Sequence, residues 1–253
     1  MTLRSSEASC ADVPRGGAER QSTAAARQIP YRRATAASDV RETRYIAVEG
    51  PIGVGKTSLA RLLAERLGGR LVLEEVEDNP FLARFYQDRS GWAFQTQLFF
   101  LLSRWQQQQK LLQTDLFAAA TVSDYVFAKD RIFATLTLQP AELALYDRVY
   151  DALGPRVPQP DLVIFLQCRL EVLLQRIKRR GREYERHFDA DYLEALSRSY
   201  NDFFFHYSET PLLVINTSDI DFVHNAADLD NLVSVVRKMR KGVHHYLPLS
   251  VRK

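Results

Sequence analysis

The stretch Gly50-Pro51-Ile52-Gly53-Val54-Gly55-Lys56-Thr57-Ser58 carries the most specific chemistry in the chain. A glycine, four residues, then Gly-Lys-Thr is the spacing of a phosphate-binding loop, in which glycines let backbone N–H groups point at an anion at a helix N-terminus. Lys56 is then expected to reach the outer phosphates of a nucleotide, and the Thr57 hydroxyl to hold Mg²⁺. The apolar run Tyr45-Ile46-Ala47-Val48 stands before the loop and a helical pattern follows near Leu59, the strand-to-helix setting such a loop requires.

Two further strand ends carry carboxylates. Arg70 to Leu73 ends in Glu74-Glu75, and Phe117 to Val122 ends in Ser123-Asp124. Asp124 suits the second Mg²⁺-positioning group of a phosphate-loop enzyme, and a residue at that place can cap the next helix as well. An acceptor hydroxyl needs a base, and Glu74 or Glu75 stands within reach. A cluster of Arg176, Lys178, Arg179, Arg180, Arg182 and Arg186 surrounds Gly181 on a later strand-to-helix connection. Such guanidinium groups can close over a transferring phosphoryl group, neutralise its charge and exclude water. A switch GTPase needs no such lid of its own, so the cluster favours a small-molecule phosphotransferase.

The elements that must position these residues alternate along the chain. Helix patterns run Ser58 to Leu67, to Tyr86 after Asn79-Pro80, about Trp92 to Leu112, Phe127 to Leu138, Pro140 to Gly154, Leu170 to Arg180, Asp191 to Tyr207 and about Asp228 to Met239. Leu162 to Gln167 and Leu212 to Ile215 are the fourth and fifth strands, the former an unbroken apolar run of the kind a parallel sheet buries on both faces. The Gln106 to Gln109 run reads as the solvated end of its helix. The pattern predicts an α/β fold, a parallel five-stranded sheet with helices on both faces, a phosphate-loop kinase type with an Arg-rich lid and ligands at the carboxyl ends of the strands. Residues 1–43 show no apolar periodicity and read as a disordered extension, 44–240 as the domain and 241–253 as a C-terminal tail.

Composition narrows the class. With 253 residues and 46% hydrophobic content, one sizeable core is the expectation. The net charge of +3 is accounted for by Arg4, Arg15, Arg20, Arg27, Arg32, Arg33, Arg41 and Arg44 against Glu7, Asp12, Glu19, Asp39 and Glu42, so the remainder is neutral and no nucleic-acid partner is expected. Cys10 and Cys168 make no disulfide framework and no zinc spacing, which points to a reducing, cytoplasmic setting. No apolar run approaches a membrane span.

These residues resemble the deoxynucleoside kinase family, from Arg44 to Met239. The resemblance places the catalytic base for a 5′-hydroxyl on Glu74, from Glu74-Glu75-Val76. It continues through Tyr86, Trp92, Gln97 and Leu102-Ser103-Arg104, implying that Tyr86 contacts the sugar while Gln97 and Arg104 contact the base. Gln97 and Arg104 are two helical turns apart, on one helix face. The lid pattern Arg176, Arg180-Gly181-Arg182, with Glu185 on the 3′-hydroxyl, also matches, as does the loop Asp219 to Phe222, whose Asp221 and Phe222 are placed against the donor adenine. The departure is at Ser123-Asp124-Tyr125, where the family's Arg is missing and Lys129 or Arg131 is its replacement. Lys129 also stands where some members carry a base-reading Asp, so Arg104 is expected to point freely and admit a purine.

By resemblance the chain phosphorylates the 5′-hydroxyl of a 2′-deoxynucleoside with ATP and Mg²⁺ in nucleotide salvage, as a homodimer. Deoxyadenosine or deoxyguanosine is expected first, deoxycytidine next, and thymidine last. A nucleoside monophosphate kinase such as thymidylate kinase, or an ATP-binding switch protein without catalysis, are the alternatives.

Overall fold

Short apolar runs become buried strands when both of their faces find a helix. β1 (Arg44–Glu49) and β4 (Leu162–Gln167) pair in parallel at the centre of the sheet. Their alternating side chains divide between two cores: Ile46, Val48, Leu162, Ile164 and Leu166 face one, and Ala47, Val163 and Phe165 the other. Burying an aliphatic side chain of this size stabilises by ~1.5–3 kcal/mol, so a strand with two dry faces needs an unbroken apolar sequence.

A computed structural model describes residues 44–111, 119–185, 189–220, 222 and 225–247. The expected N-terminal extension, Phe117, Arg186 and Asp221 lie outside these residues, as do residues 248–253. The remaining strands are β2 (Arg70–Val72), β3 (Ala120–Ser123), β5 (Leu212–Asn216) and β6 (Val243–Tyr246). All neighbours pair in parallel in the order β2-β3-β1-β4-β5-β6. The sheet therefore has six strands rather than five, and the sixth falls within the segment expected to be a tail. Val243-His244-His245-Tyr246 gives little apolar signal because only Tyr246 is buried, as is usual at a sheet edge.

The helices are α1 (Lys56–Leu67), α2 (Leu82–Gln87), α3 (Arg89–Leu111), α4 (Lys129–Thr137), α5 (Pro140–Leu153), α6 (Leu170–Arg180), α7 (Ala190–Phe205) and α8 (Ala226–Lys238). α1, α6 and α8 supply Leu63, Ile177 and Leu232 to one core, while α2, α3, α4, α5 and α7 supply Phe85, Leu101, Ile132, Tyr146 and Tyr200 to the other. Caps fix several starts. Asp189 accepts from the backbone of Asp191 and Tyr192, and Asn225 from that of Ala227 and Asp228. Gln139 and Glu142 form a capping box around Pro140.

The end of α3 differs from expectation. Gln107 and Gln108 are buried, and Gln108 donates to the Tyr45 hydroxyl on β1 at 3.2 Å. The run is therefore split: Gln107 and Gln108 form an interior layer, while Gln106 stays exposed as expected. In the strand order, β1 lies between β3 and β4, so the chain departs to opposite sides from neighbouring strands. A crevice opens at their carboxyl ends, and the phosphate loop, Glu74 and Asp124 all lie on that rim.

Candidate active site

The loop between β1 and α1 is shaped by glycine. Gly50 has φ 152°, and a Cβ there would lie 2.4 Å from the Leu166 carbonyl oxygen; Gly53 has φ 83°, with a Cβ position 2.8 Å from Ile177. Only a residue without a side chain lets the loop pack this closely on β4 and α6. Gly55 precedes α1 with no side-chain cap, so the N–H groups of the first turn remain for an anion. Glu49, fully buried, supports the loop from behind. Its carboxylate accepts from Gly50 N at 2.9 Å, Val126 N at 2.9 Å and the Tyr200 hydroxyl at 3.0 Å. Sequence reasoning passed over Glu49; a charged residue closing an apolar strand was the available signal.

Lys56 turns back on the loop, donating to the carbonyls of Gly50 at 2.7 Å and Pro51 at 3.2 Å. Burial, with Lys129 nearby, pulls its ammonium down to about 8. The Thr57 hydroxyl donates to Asp124 Oδ2 at 2.6 Å, and Asp124 Oδ1 accepts from the backbone N–H of Glu74 at 2.8 Å. Adjacent hydroxyl and carboxylate oxygens are the hard donors Mg²⁺ takes. Among the described residues no cluster of three or more His, Cys, Asp or Glu could hold a metal, so an ion here would complete its shell with phosphate and water.

Glu74 meets a second set of charges. Its Oε1 accepts from Arg104 Nε at 2.8 Å, and its Oε2 from Lys129 Nζ at 2.7 Å; Arg104 also pairs with Asp130. All four side chains are less than 10% exposed. Burial alone pushes the Glu74 carboxyl up, but Arg104 and Lys129 outweigh it and hold the group well below the usual carboxylate range. Two expectations are corrected here. Arg104 does not point freely, because Asp130, one residue beyond Lys129, supplies the buried carboxylate that fixes it. Arg131 does not serve the site, since it pairs with Asp147 at an exposed position. The signal for Asp130 was an acid in the first turn of an otherwise apolar helix face.

The walls complete the cleft, which encloses about 1360 Å³. Gln97 and Arg104 line it from α3, both buried, as do Tyr86, Arg180, Arg182, Glu185 and Phe222. Arg180 donates to Glu185 through Nε at 3.1 Å, and Arg182 reaches Glu77 at 3.2 Å. Arg176 behaves differently from the other lid arginines. It donates to the Val54 carbonyl at 3.0 Å and to Thr217 Oγ1 at 3.1 Å and Thr217 O at 2.8 Å, tying the phosphate loop to the end of β5. Glu75 is exposed on the rim. The volume exceeds the ~300–1,000 Å³ usual for one small ligand, leaving room for a donor and an acceptor side by side.

A parallel sheet carrying a glycine-shaped phosphate loop, with a separate buried polar pocket and an arginine lid at the same rim, defines a phosphotransferase that acts on a small acceptor. The comparisons carry this further. The family description "Deoxynucleoside kinase" matches residues 46–241. The chain is 37% identical over 202 residues to deoxyguanosine kinase of Bacillus subtilis (strain 168), spanning 77% of this chain and 97% of the relative. It is 32% identical over 199 residues to deoxyadenosine/deoxycytidine kinase of the same organism, spanning 76% and 90%. The solved structure of deoxyadenosine kinase from M. mycoides with bound dCTP shares the fold, with a TM-score of 0.66 at 23% identity over 77% of this chain and 100% of that one. The chain belongs to the deoxynucleoside kinase family, and is an enzyme that phosphorylates deoxynucleosides.

Proposed function

We propose that this enzyme transfers the γ-phosphoryl group of ATP to the 5′-hydroxyl of a purine 2′-deoxynucleoside, deoxyadenosine or deoxyguanosine before deoxycytidine. The observation that carries the reading is the buried Glu74–Arg104–Lys129–Asp130 network beside the phosphate loop. It offers a carboxylate for a hydroxyl and a fixed guanidinium for a base edge in one pocket. Gln97 presents an amide donor and acceptor to the same base, which suits adenine or cytosine edges with an amino group beside a ring nitrogen. The names of the relatives, deoxyguanosine kinase and deoxyadenosine/deoxycytidine kinase, support this preference.

In the mechanism we infer, Glu74 accepts the hydrogen bond of the 5′-hydroxyl and takes its proton as the phosphoryl group arrives. Its depressed proton affinity suits a loose transition state, in which orientation of the acceptor matters more than early abstraction. Lys129, rather than Arg131, steadies Glu74 and the acceptor oxygen. Lys56, Arg180 and Arg182 neutralise the phosphates, and Arg176 positions the loop that cradles them. Thr57 and Asp124 are the residues that would hold Mg²⁺, which would supply charge neutralisation to the nucleotide. Tyr86 and Glu185 hold the sugar, Glu185 at the 3′-hydroxyl, and Phe222 borders the donor base. Catalysis requires only residues from 44 onward, in cytoplasmic nucleotide salvage. A homodimer is favoured by Leu102 and Leu145, which are 41% and 50% exposed on the packed helices α3 and α5.

The test is ADP release with a panel of deoxynucleosides, adenosine and nucleoside monophosphates. Purine deoxynucleosides should give the highest kcat/KM, with a spread of at least roughly tenfold across the panel, because a buried polar group left unpaired costs ~1–3 kcal/mol. Preference for a monophosphate would move the enzyme to monophosphate kinases, and thymidine as the best substrate would refute the reading of Gln97 and Arg104.

A further inference from the structure

Tyr184 has no part in the mechanism above, yet it lines the same cleft. It lies in a 3₁₀ turn, Glu183–Glu185, just beyond the lid arginines. Its ring stacks on that of Tyr86, with centroids 5.5 Å apart and planes inclined by 22°. Its hydroxyl is buried and has no hydrogen-bond partner among the described residues. The Arg182 guanidinium stands 5.8 Å from the same ring, and the next residue, Glu185, accepts from Arg180. One short turn therefore touches Tyr86 with one side chain and holds both lid arginines with its other contacts.

Tyr86 has reason to need that contact. It sits on α2, which spans only Leu82–Gln87 and has no side-chain N-cap. A helix this short has little stability of its own and takes its position from tertiary packing. Phe85 meets Tyr86 edge-on, at 5.6 Å and 70°. The flat face that Tyr184 lays against Tyr86 is a contact that joins α2 to the lid.

We propose that Tyr184 is a positioning residue for the acceptor: its ring covers Tyr86, sets that side chain beside Glu185, and conveys occupancy of the sugar pocket to Arg180 and Arg182. The inference rests on the reading of Tyr86 and Glu185 as sugar contacts. The Tyr86–Tyr184 stack ties the sugar pocket to the turn, and the turn holds the arginines at the phosphate side of the cleft. If the stack is removed, water is kept from an armed donor only as well as the lid closes by itself.

The experiment compares Tyr184→Ala, Tyr184→Leu and Tyr184→Phe with the natural enzyme, using ATP with deoxyadenosine and with deoxyguanosine. An aromatic stack corresponds to about a threefold to tenfold effect, so Tyr184→Ala should raise the KM for the deoxynucleoside by that factor while the KM for ATP stays within about twofold. The ratio of ATP hydrolysed to deoxynucleotide formed should rise in the same variant. Tyr184→Leu, which keeps apolar bulk without a flat face, should follow Tyr184→Ala and guards against a loss of folding. Tyr184→Phe retains the face and should restore both the KM and the coupling ratio. An unchanged nucleoside KM in the Ala and Leu variants, or a Phe variant as impaired as they are, overturns the proposal. A natural enzyme that transfers to no deoxynucleoside would instead sink the functional reading, so the two failures are told apart.

Discussion

The two halves of the cleft are built on different plans. The phosphate half is made of backbone: Gly50, Gly53 and Gly55 shape the loop, and the first turn of α1 presents N–H groups that no side chain has to aim. The acceptor half is made of side chains from separate elements, with Glu74 after β2, Arg104 on α3, and Lys129 and Asp130 on α4. Local geometry suffices for the first. The second holds its shape only because buried charges are paired, and a buried pair left with one partner is far costlier than an empty glycine turn. Conservative changes in the acceptor half should therefore strike catalysis hardest, with stability lost too where a partner is removed outright, and changes in the phosphate half should lower stability and nucleotide affinity without moving base preference.

The largest effect is expected at Glu74. Glu74→Gln keeps the shape but offers a weaker proton acceptor, and should lower kcat by ~10²–10⁴ with little change in the KM for ATP. Single-turnover assays separate this from slow product release. A variant with near-natural kcat would mean that the carboxylate is structural and the acceptor is oriented by another group.

Asp130 comes next, because it acts through Arg104. Asp130→Ala leaves the guanidinium bound on one side only, in a buried place, and removing one partner of a buried pair costs ~3–5 kcal/mol of stability. Asp130→Asn keeps the volume and one acceptor, and should retain folding while lowering kcat/KM for purine deoxynucleosides by roughly 5- to 100-fold. Discrimination between bases should shrink with it. If base preference is unmoved in Asp130→Asn, Arg104 is held by Glu74 alone.

The phosphate half breaks differently. Gly50→Ala forces a Cβ to within 2.4 Å of the Leu166 carbonyl at a φ of 152°. Strain of this kind costs ~1–3 kcal/mol per residue. The melting temperature and the affinity for ATP should both fall, and the nucleoside preference should stay as it was. A changed preference would show that the two halves are mechanically coupled through β1 and β4.

The same contrast explains what could be read from residues alone. The phosphate loop was legible because its spacing lies within a single turn of chain, and the central strands because burial on both faces leaves an unbroken apolar run. β6 was not, since an edge strand with one buried residue has no such pattern. Asp130 escaped because nothing near it in sequence shows that Arg104, from another helix, lies opposite. The resemblance drew attention to Lys129 instead, which contacts Glu74 and leaves Arg104 to its neighbour. Gln107 and Gln108 were misjudged for a similar reason: a polar run on a helix end looks solvated until the element above it is known.

The smallest effect tests the discrimination between adjacent acids. Glu74 and Glu75 follow the same strand, and residues alone leave both within reach of an acceptor. In the structure their surroundings diverge: Glu74 is enclosed by Arg104 and Lys129, whereas Glu75 is exposed on the rim. An exposed carboxylate is screened by water and contributes little to a charge developing inside the cleft. Glu75→Gln should therefore change kcat/KM by less than about threefold and leave the melting temperature within a degree or two, in the range of ordinary surface substitutions. The double variant should then fall within about threefold of Glu74→Gln alone, because Glu75 adds so little of its own. A single-turnover rate lowered more by Glu75→Gln than by Glu74→Gln would reverse the assignment and place the acceptor at the rim instead of in the buried pocket.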